Sequence, residues 1–261
     1  MVTFAIVNQK GGTAKTTTAV TLAHALAMQS LRVLIVDTDP QGHVAVALGL
    51  EKAPGIRALV DRANYNGHDP LPIVQARPNL WMLPSDKTTE QAKRTLTGMS
   101  FRERILQTTI QGLEQVFDVT VIDCAPSLDV LHVAAIVAAQ WIVIPTRLDF
   151  LAVDGVNEVI RSMVQIRQAG NAAPRVLGIL PTFYDRQTTE TLLQLRALAT
   201  TFQALVLAPI PTDVHLREAP AHGQTIWEYA PTSRSVLGMN LGNGHRGGYR
   251  EFVDRARSVI P

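Results

Sequence analysis

Between Val2 and Thr18 the chain reads VTFAIVNQKGGTAKTTT: an apolar run, a glycine pair between two lysines, then threonines opening a helical segment. That order predicts a strand, a tight loop and a helix start. A helix N-terminus leaves backbone N–H groups unpaired and carries a partial positive charge, so a glycine-rich turn feeding into one can wrap a phosphate chain. Lys15 is placed to meet the terminal phosphates, and the Thr16 hydroxyl to reach a magnesium ion. The common pattern GxxxxGK[ST] does not apply, because Gln9 and Ala14 stand at both of its glycine positions; the run that fits is KGGxxK[ST], Lys10 to Thr16. If Ala14 needs a positive φ, its methyl group costs about 1 kcal/mol; otherwise it crowds the phosphates.

Further along, acids end apolar runs. Arg32 to Val36 reads as a buried strand running into Asp37-Thr38-Asp39-Pro40-Gln41-Gly42, and Phe117 to Ile122 as a second strand ending at Asp123. Carboxylates at the carboxyl ends of parallel strands point into the crevice where such sheets bind ligands. Asp123 is expected to hold magnesium through a water, and Ser127 to cap the helix that follows. Other expected strands are Asn79–Ser85, Trp141–Pro145, Arg175–Pro181 and Ala204–Pro211. Expected helices cover Thr17–Gln29, with His24 on its surface, Ile56–Arg62, Phe101–Val116, Asp149–Gln168 and Tyr249–Ile260. Strands alternating with helical segments imply βαβ units, hence an α/β fold with a mostly parallel twisted sheet and helices on both faces. Residues 51–78 are rich in Gly, Pro and Asn, and 241–251 (LGNGHRGGYRE) reads as a mobile glycine-rich loop.

With 261 residues, 46% of them hydrophobic, the chain suits one large domain over 1–261. A net charge of +2 permits nucleic-acid binding without arguing for it. The single cysteine, Cys124, excludes an intrachain disulfide and reads as a small buried hydrophobe. The first strand begins at Val2 without a leader, and no apolar run approaches the ~18 residues of a membrane span, so a cytoplasmic protein is expected.

The loop resembles the deviant phosphate loop of the ParA/MinD superfamily of P-loop ATPases, and VDTDPQG, NLWMLPS, the strand ending DCAPS, Thr182–Asp185 (TFYD) and Ile210–Pro220 (IPTDVHLREAP) resemble its later motifs. This resemblance implies a P-loop fold, ATP and magnesium as cofactors, and an ATP-dependent homodimer in which Lys10 reaches across to the partner's nucleotide. By it, Gly11, Gly12, Thr13, Ala14, Lys15, Thr16 and Thr17 cradle the phosphates, and Pro211 and Asp213 line the adenine. It also makes Asp37 a support of the magnesium shell and Asp39 the group that places the attacking water. The implied function is a slow ATPase switch that partitions plasmid or chromosomal DNA, stimulated by a ParB-type partner.

Relatives hold nonspecific DNA through arginines of the two late segments. Here these are shifted to Arg186 and Arg217, with Arg246 and Arg250 as further candidates for a positive, nucleoid-binding surface. The basic Tyr249–Ile260 segment reads as a last helix packed on the sheet rather than a MinD-like membrane helix, so stable membrane association is not expected. Rival readings are the positioning of a non-DNA cargo, an ATP-dependent synthetase acting on a small carboxylate, and a binding module with inactive chemistry. With the first strand starting at Val2, operator-specific DNA reading by a preceding helix-turn-helix is not expected, and the lack of a cysteine pair argues against a bridging iron–sulfur cluster.

Overall fold

Val, Ile and Leu dominate the central strands, and residues of this kind, buried on both faces, build a parallel sheet. In the computed structural model, which describes residues 1–65, 69–170, 172, 174–240, 242 and 244–261, seven strands form one sheet. They are β1 (Val2–Ile6), β2 (Val33–Asp37), β3 (Val74–Arg77), β4 (Leu80–Leu83), β5 (Val119–Asp123), β6 (Trp141–Arg147) and β7 (Arg175–Thr182), in the order β3-β4-β2-β5-β1-β6-β7. Every ladder is parallel except β3 with β4. The fold class is the expected α/β arrangement.

Twelve helices accompany the sheet among the described residues: α1 (Lys15–Met28), α2 (His43–Ala47), α3 (Gly55–Asn64), α4 (Thr89–Thr97), α5 (Ile105–Gln111), α6 (Val130–Ala138), α7 (Ala152–Gln168), α8 (Thr189–Phe202), α9 (His215–Glu218), α10 (Ile226–Tyr229), α11 (Arg234–Leu237) and α12 (Gly248–Arg257). Successive strand residues face opposite sides, and the two apolar layers divide accordingly. Leu34, Val36 and Ile122 pack with Ile56, Leu96, Leu131, Val156 and Leu198 from α3, α4, α6, α7 and α8. Val33, Ile35 and Val121 pack on the other side with Leu22, Leu26, Val44, Tyr249 and Phe252 from α1, α2 and α12. No helix among the described residues is long and apolar enough to cross a membrane.

Several local expectations change. His24 is buried rather than on the helix surface, because α10 covers it: its Nδ1 lies 2.7 Å from Thr225 Oγ1. Ala204–Pro211 is not a strand. Leu207 N and Ile210 N donate to the β7 carbonyls of Ile179 and Pro181, but Pro209 and Pro211 have no N–H to continue a ladder. Phe101–Val116 breaks into a 3₁₀ turn at Arg102–Arg104, α5, and turns after Gly112. Asp129, not Ser127, caps α6, accepting from Leu131 N and His132 N. The expected loop over 241–251 holds one arm of a short hairpin, Met239–Asn240 with His245–Arg246, and the start of α12; Leu241 and Asn243 lie outside the described residues, as do 66–68 of the Gly- and Asn-rich stretch. The apolar side of α12 (Tyr249, Phe252, Val253, Ala256) is buried within the fold, which leaves it no free lipid-facing stripe. Cys124 is buried as expected.

Candidate nucleotide and metal site

The loop from Val7 to Ala14 leaves the carboxyl end of β1, an interior strand with β5 on one side and β6 on the other. Asn8, fully buried, anchors it: its Nδ2 donates to Pro145 O at 2.8 Å and its Oδ1 accepts Lys10 N at 3.0 Å. Ala14 sits in the left-handed region, φ 67° and ψ 31°, as the residue before α1, so the backbone demands a conformation that suits glycine. Among the described residues no side chain caps α1. Its first-turn amides are therefore left for an anion. A side chain at Gly11 or Gly12 would meet no atom of the described residues within 4 Å, so the glycines border open space rather than serving internal packing.

Lys15 lies beneath that space. Its side chain is buried, Nζ donates to Lys10 O at 2.7 Å, and burial pushes its ammonium below the ordinary lysine value against the opposing pull of Asp123 and Asp39. Thr16 Oγ1 donates to Asp123 Oδ2 at 2.7 Å. Asp123 Oδ1 is buried without a partner among the described residues. Burial raises the Asp123 carboxyl to about 7, although Thr16 and Lys15 both favour the carboxylate. Asp37 is paired with Asp123 across the β2/β5 ladder; burial and that neighbour raise it well above the usual range, while it accepts Asp39 N at 2.9 Å and Val44 N at 3.2 Å.

An orphaned buried carboxylate oxygen beside a threonine hydroxyl fits a divalent cation. Among the described residues, no three His, Cys, Asp or Glu converge on a metal position. That suits magnesium, which takes one or two protein ligands and completes its shell with phosphate and water.

Asp39 is half-buried in a turn, its Oδ1 accepting Gln41 N at 2.9 Å, and it borders a hollow of about 600 Å³ with Gln41, Lys93, Arg94, Ala125 and Ser127. Lys10 does not extend away from its own chain: Nζ donates to Leu151 O and the stem packs on Gly155. Pro211 and Asp213 line a hollow of about 60 Å³ with Ala14, Thr17, Phe183 and Tyr249. The Asp213 carboxylate is committed to the chain itself, Oδ1 to His215 N and His215 Nδ1, Oδ2 to Ser235 N at 2.9 Å.

The segments carrying the four candidate arginines meet here: Arg186 lies in the turn after β7, Arg217 in α9, Arg246 in the short hairpin and Arg250 in the first turn of α12. Tyr184 N donates to Ile210 O, Thr212 N to Tyr184 O, and Gly248 N to Pro209 O, which brings together the neighbourhoods of Arg186, Arg217, Arg246 and Arg250. All four are exposed, and none forms an ion pair among the described residues. Asn8, Leu151, Gly155, Lys93 and Asp129 were not singled out from sequence; only Asp129, a capping residue directly before the apolar run VLHVAA, carried a local signal.

A family profile described as an AAA domain matches residues 1–175. The chain is 34% identical over 235 residues to the sporulation initiation inhibitor protein Soj of Bacillus subtilis, covering 89% of this chain and 92% of that one. It is also 34% identical over 234 residues to the chromosome-partitioning ATPase Soj of Thermus thermophilus, covering 88% of each. A solved structure described as cobyrinic acid a,c-diamide synthase from Mycobacterium smegmatis, with a bound ATP analogue and magnesium, superposes with a TM-score of 0.74 at 31% identity, covering 85% of this chain and 93% of that one.

Proposed function

Because this chain belongs to the ParA/MinD family of P-loop ATPases, we propose that it is an ATP-driven dimerising switch that partitions or positions DNA. The observation that carries the reading is Asp123 Oδ1, without a partner among the described residues, beside Thr16 and under a glycine loop that borders open space.

In this reading Gly11 to Thr17 hold the phosphates of ATP, with Lys15 neutralising charge from below and Pro211 beside the base. Thr16 and Asp123 hold magnesium, with Asp37 behind them. The metal, when bound, supplies charge neutralisation at the phosphates. Asp39 orients the attacking water from the edge of the large hollow. The Asp213 carboxylate, occupied by His215 and Ser235, shapes the base pocket rather than reading the base through a free oxygen.

Lys10 completes the site of a second copy. To do so it leaves Leu151 O, so hydrolysis depends on the meeting of two nucleotide-bound chains, and a ParB-type partner acts by promoting the productive pair. The exposed arginines near Pro209–Thr212 bind DNA phosphates, which puts the switch on the nucleoid within the cytoplasm. One folded domain spanning 1–261 performs all of this.

The test is ATP hydrolysis measured with and without magnesium, nonspecific duplex DNA and increasing protein concentration. Turnover that needs magnesium, and rises per chain with concentration, is expected; hydrolysis independent of both overturns the reading.

A further inference from the structure

The segment that follows Asp123 is fastened at its far end. Asp129 Oδ1 accepts Leu131 N at 3.0 Å and His132 N at 3.1 Å, which starts α6. Its other oxygen accepts the Ser127 hydroxyl at 2.8 Å and the Lys93 ammonium at 2.7 Å. Lys93 comes from α4, 36 positions earlier in the chain than Asp129, and also meets Glu90 at 3.1 Å. Its side chain is 12% exposed and that of Asp129 24%, so water screens this pair far less than a pair on the open surface. Burial alone would raise the Asp129 carboxyl; Lys93 and Ser127 outweigh it and hold the group below its ordinary value.

The place of this clamp gives it a role. Ala125, Pro126 and Ser127 form one wall of the hollow of about 600 Å³, Asp39, Pro40 and Gln41 a second, and Glu90, Lys93, Arg94 and Thr97 of α4 a third. Ala125 to Ser127 hang between two fixed points, Asp123 at the end of β5 and Asp129 at the start of α6. The first is set by the sheet register with β1 and β2. The second is set across the chain by Lys93.

We propose that Lys93 is a positioning residue for ATP hydrolysis, clamping Asp129 to α4 so that the Ala125–Ser127 wall stands at a fixed height opposite Asp39. The proposal rests on the reading that the terminal phosphate and its attacking water meet on the Asp39 side of the crevice. Among the described residues Lys93 pairs with Asp129 and Glu90 and with neither the glycine loop nor the Thr16–Asp123 pair, so its removal leaves ground-state nucleotide binding in place and lowers turnover, where small misplacements are amplified.

Lys93→Met and Lys93→Arg are compared with the wild-type chain in magnesium-dependent binding of a fluorescent ATP analogue, in kcat, and in melting temperature. Lys93→Met is expected to bind the analogue within about twofold of wild type while kcat falls at least about tenfold, and Lys93→Arg to recover most of that loss. If Lys93→Met does not fold, Asp129→Asn keeps a cap acceptor and removes the ion pair, and should show the same split. Unchanged kcat in a folded Lys93→Met, or equal losses in affinity and kcat without recovery by Arg, overturns the proposal. A wild-type chain without turnover removes instead the hydrolytic reading beneath it.

Discussion

Thr16 gives its hydroxyl hydrogen to one oxygen of Asp123 at 2.7 Å, while the second oxygen of the same carboxylate is buried with no partner among the described residues. On the proposed reading, the pair fixes one side of a magnesium site and leaves the free oxygen for the metal. Such an arrangement makes the metal-free chain sensitive to pH.

Burial raises the Asp123 carboxyl from 3.8 to about 7, and Asp37 shifts in the same direction. Between those values the native chain holds protons that the unfolded chain has released, so metal-free stability falls as pH rises from about 4 through about 7. Magnesium with nucleotide favours the carboxylate and should flatten or reverse that slope. Thermal melts across this range, with and without magnesium and nucleotide, check it. Asp123→Asn should lose magnesium-dependent turnover and show a shallower metal-free pH slope than the wild type.

Ala14 has a φ of 67° before α1. Glycine removes a left-handed penalty of about 1 kcal/mol but loosens the unfolded chain, so Ala14→Gly should stabilise by no more than about 1 kcal/mol. Nucleotide binding should persist, since a Cβ is removed and none added. Urea unfolding and nucleotide titration measure both; a clear loss of stability would show that the backbone at this position is not strained by alanine.

What could be read in the sequence was whatever one strand or one turn decides. Asp37 and Asp123 were legible because each ends a run of β-branched residues, and parallel strands of similar length bring their carboxyl ends to one edge. The strand–loop–helix order around Lys10–Lys15 was legible because its glycines and lysines are contiguous. Features set by distant packing were not. His24 is buried by α10, some 200 positions away. Arg77 joins Leu48 O, Gly223 O and Glu228 in one cluster whose members are scattered through the chain. Ala204–Pro211 had strand-like composition, and its two prolines interrupted the ladder it would have joined. Ser127 looked like the α6 cap because the choice between it and Asp129 depends on where the helix begins, a boundary that local pattern fixes only loosely.

Arg186, Arg217, Arg246 and Arg250 are exposed without carboxylate partners among the described residues. On the DNA-positioning account, Arg217→Glu combined with Arg246→Glu should weaken binding of nonspecific duplex DNA and reduce the salt slope of log affinity by about one for each phosphate contact removed. Hydrolysis without DNA should be retained. Fluorescence anisotropy over a range of salt concentrations is the check, and binding by the double variant equal to wild type would remove these arginines from the account.

The central claim is that Lys10, resting on Leu151 O within its own chain, serves the nucleotide of a second copy. Lys10→Ala should bind nucleotide but not hydrolyse it, and Asp39→Ala should accumulate as an ATP-bound dimer. The most direct measurement is ATP turnover after mixing these two inactive variants in equal amounts. In a mixed dimer, the site with intact Asp39 receives Lys10 from the other chain. If subunits pair at random, activity should return to about a quarter of wild type, since half of the dimers are mixed and each has one complete site. A mixture as inactive as either variant alone, with dimers present, would contradict the claim.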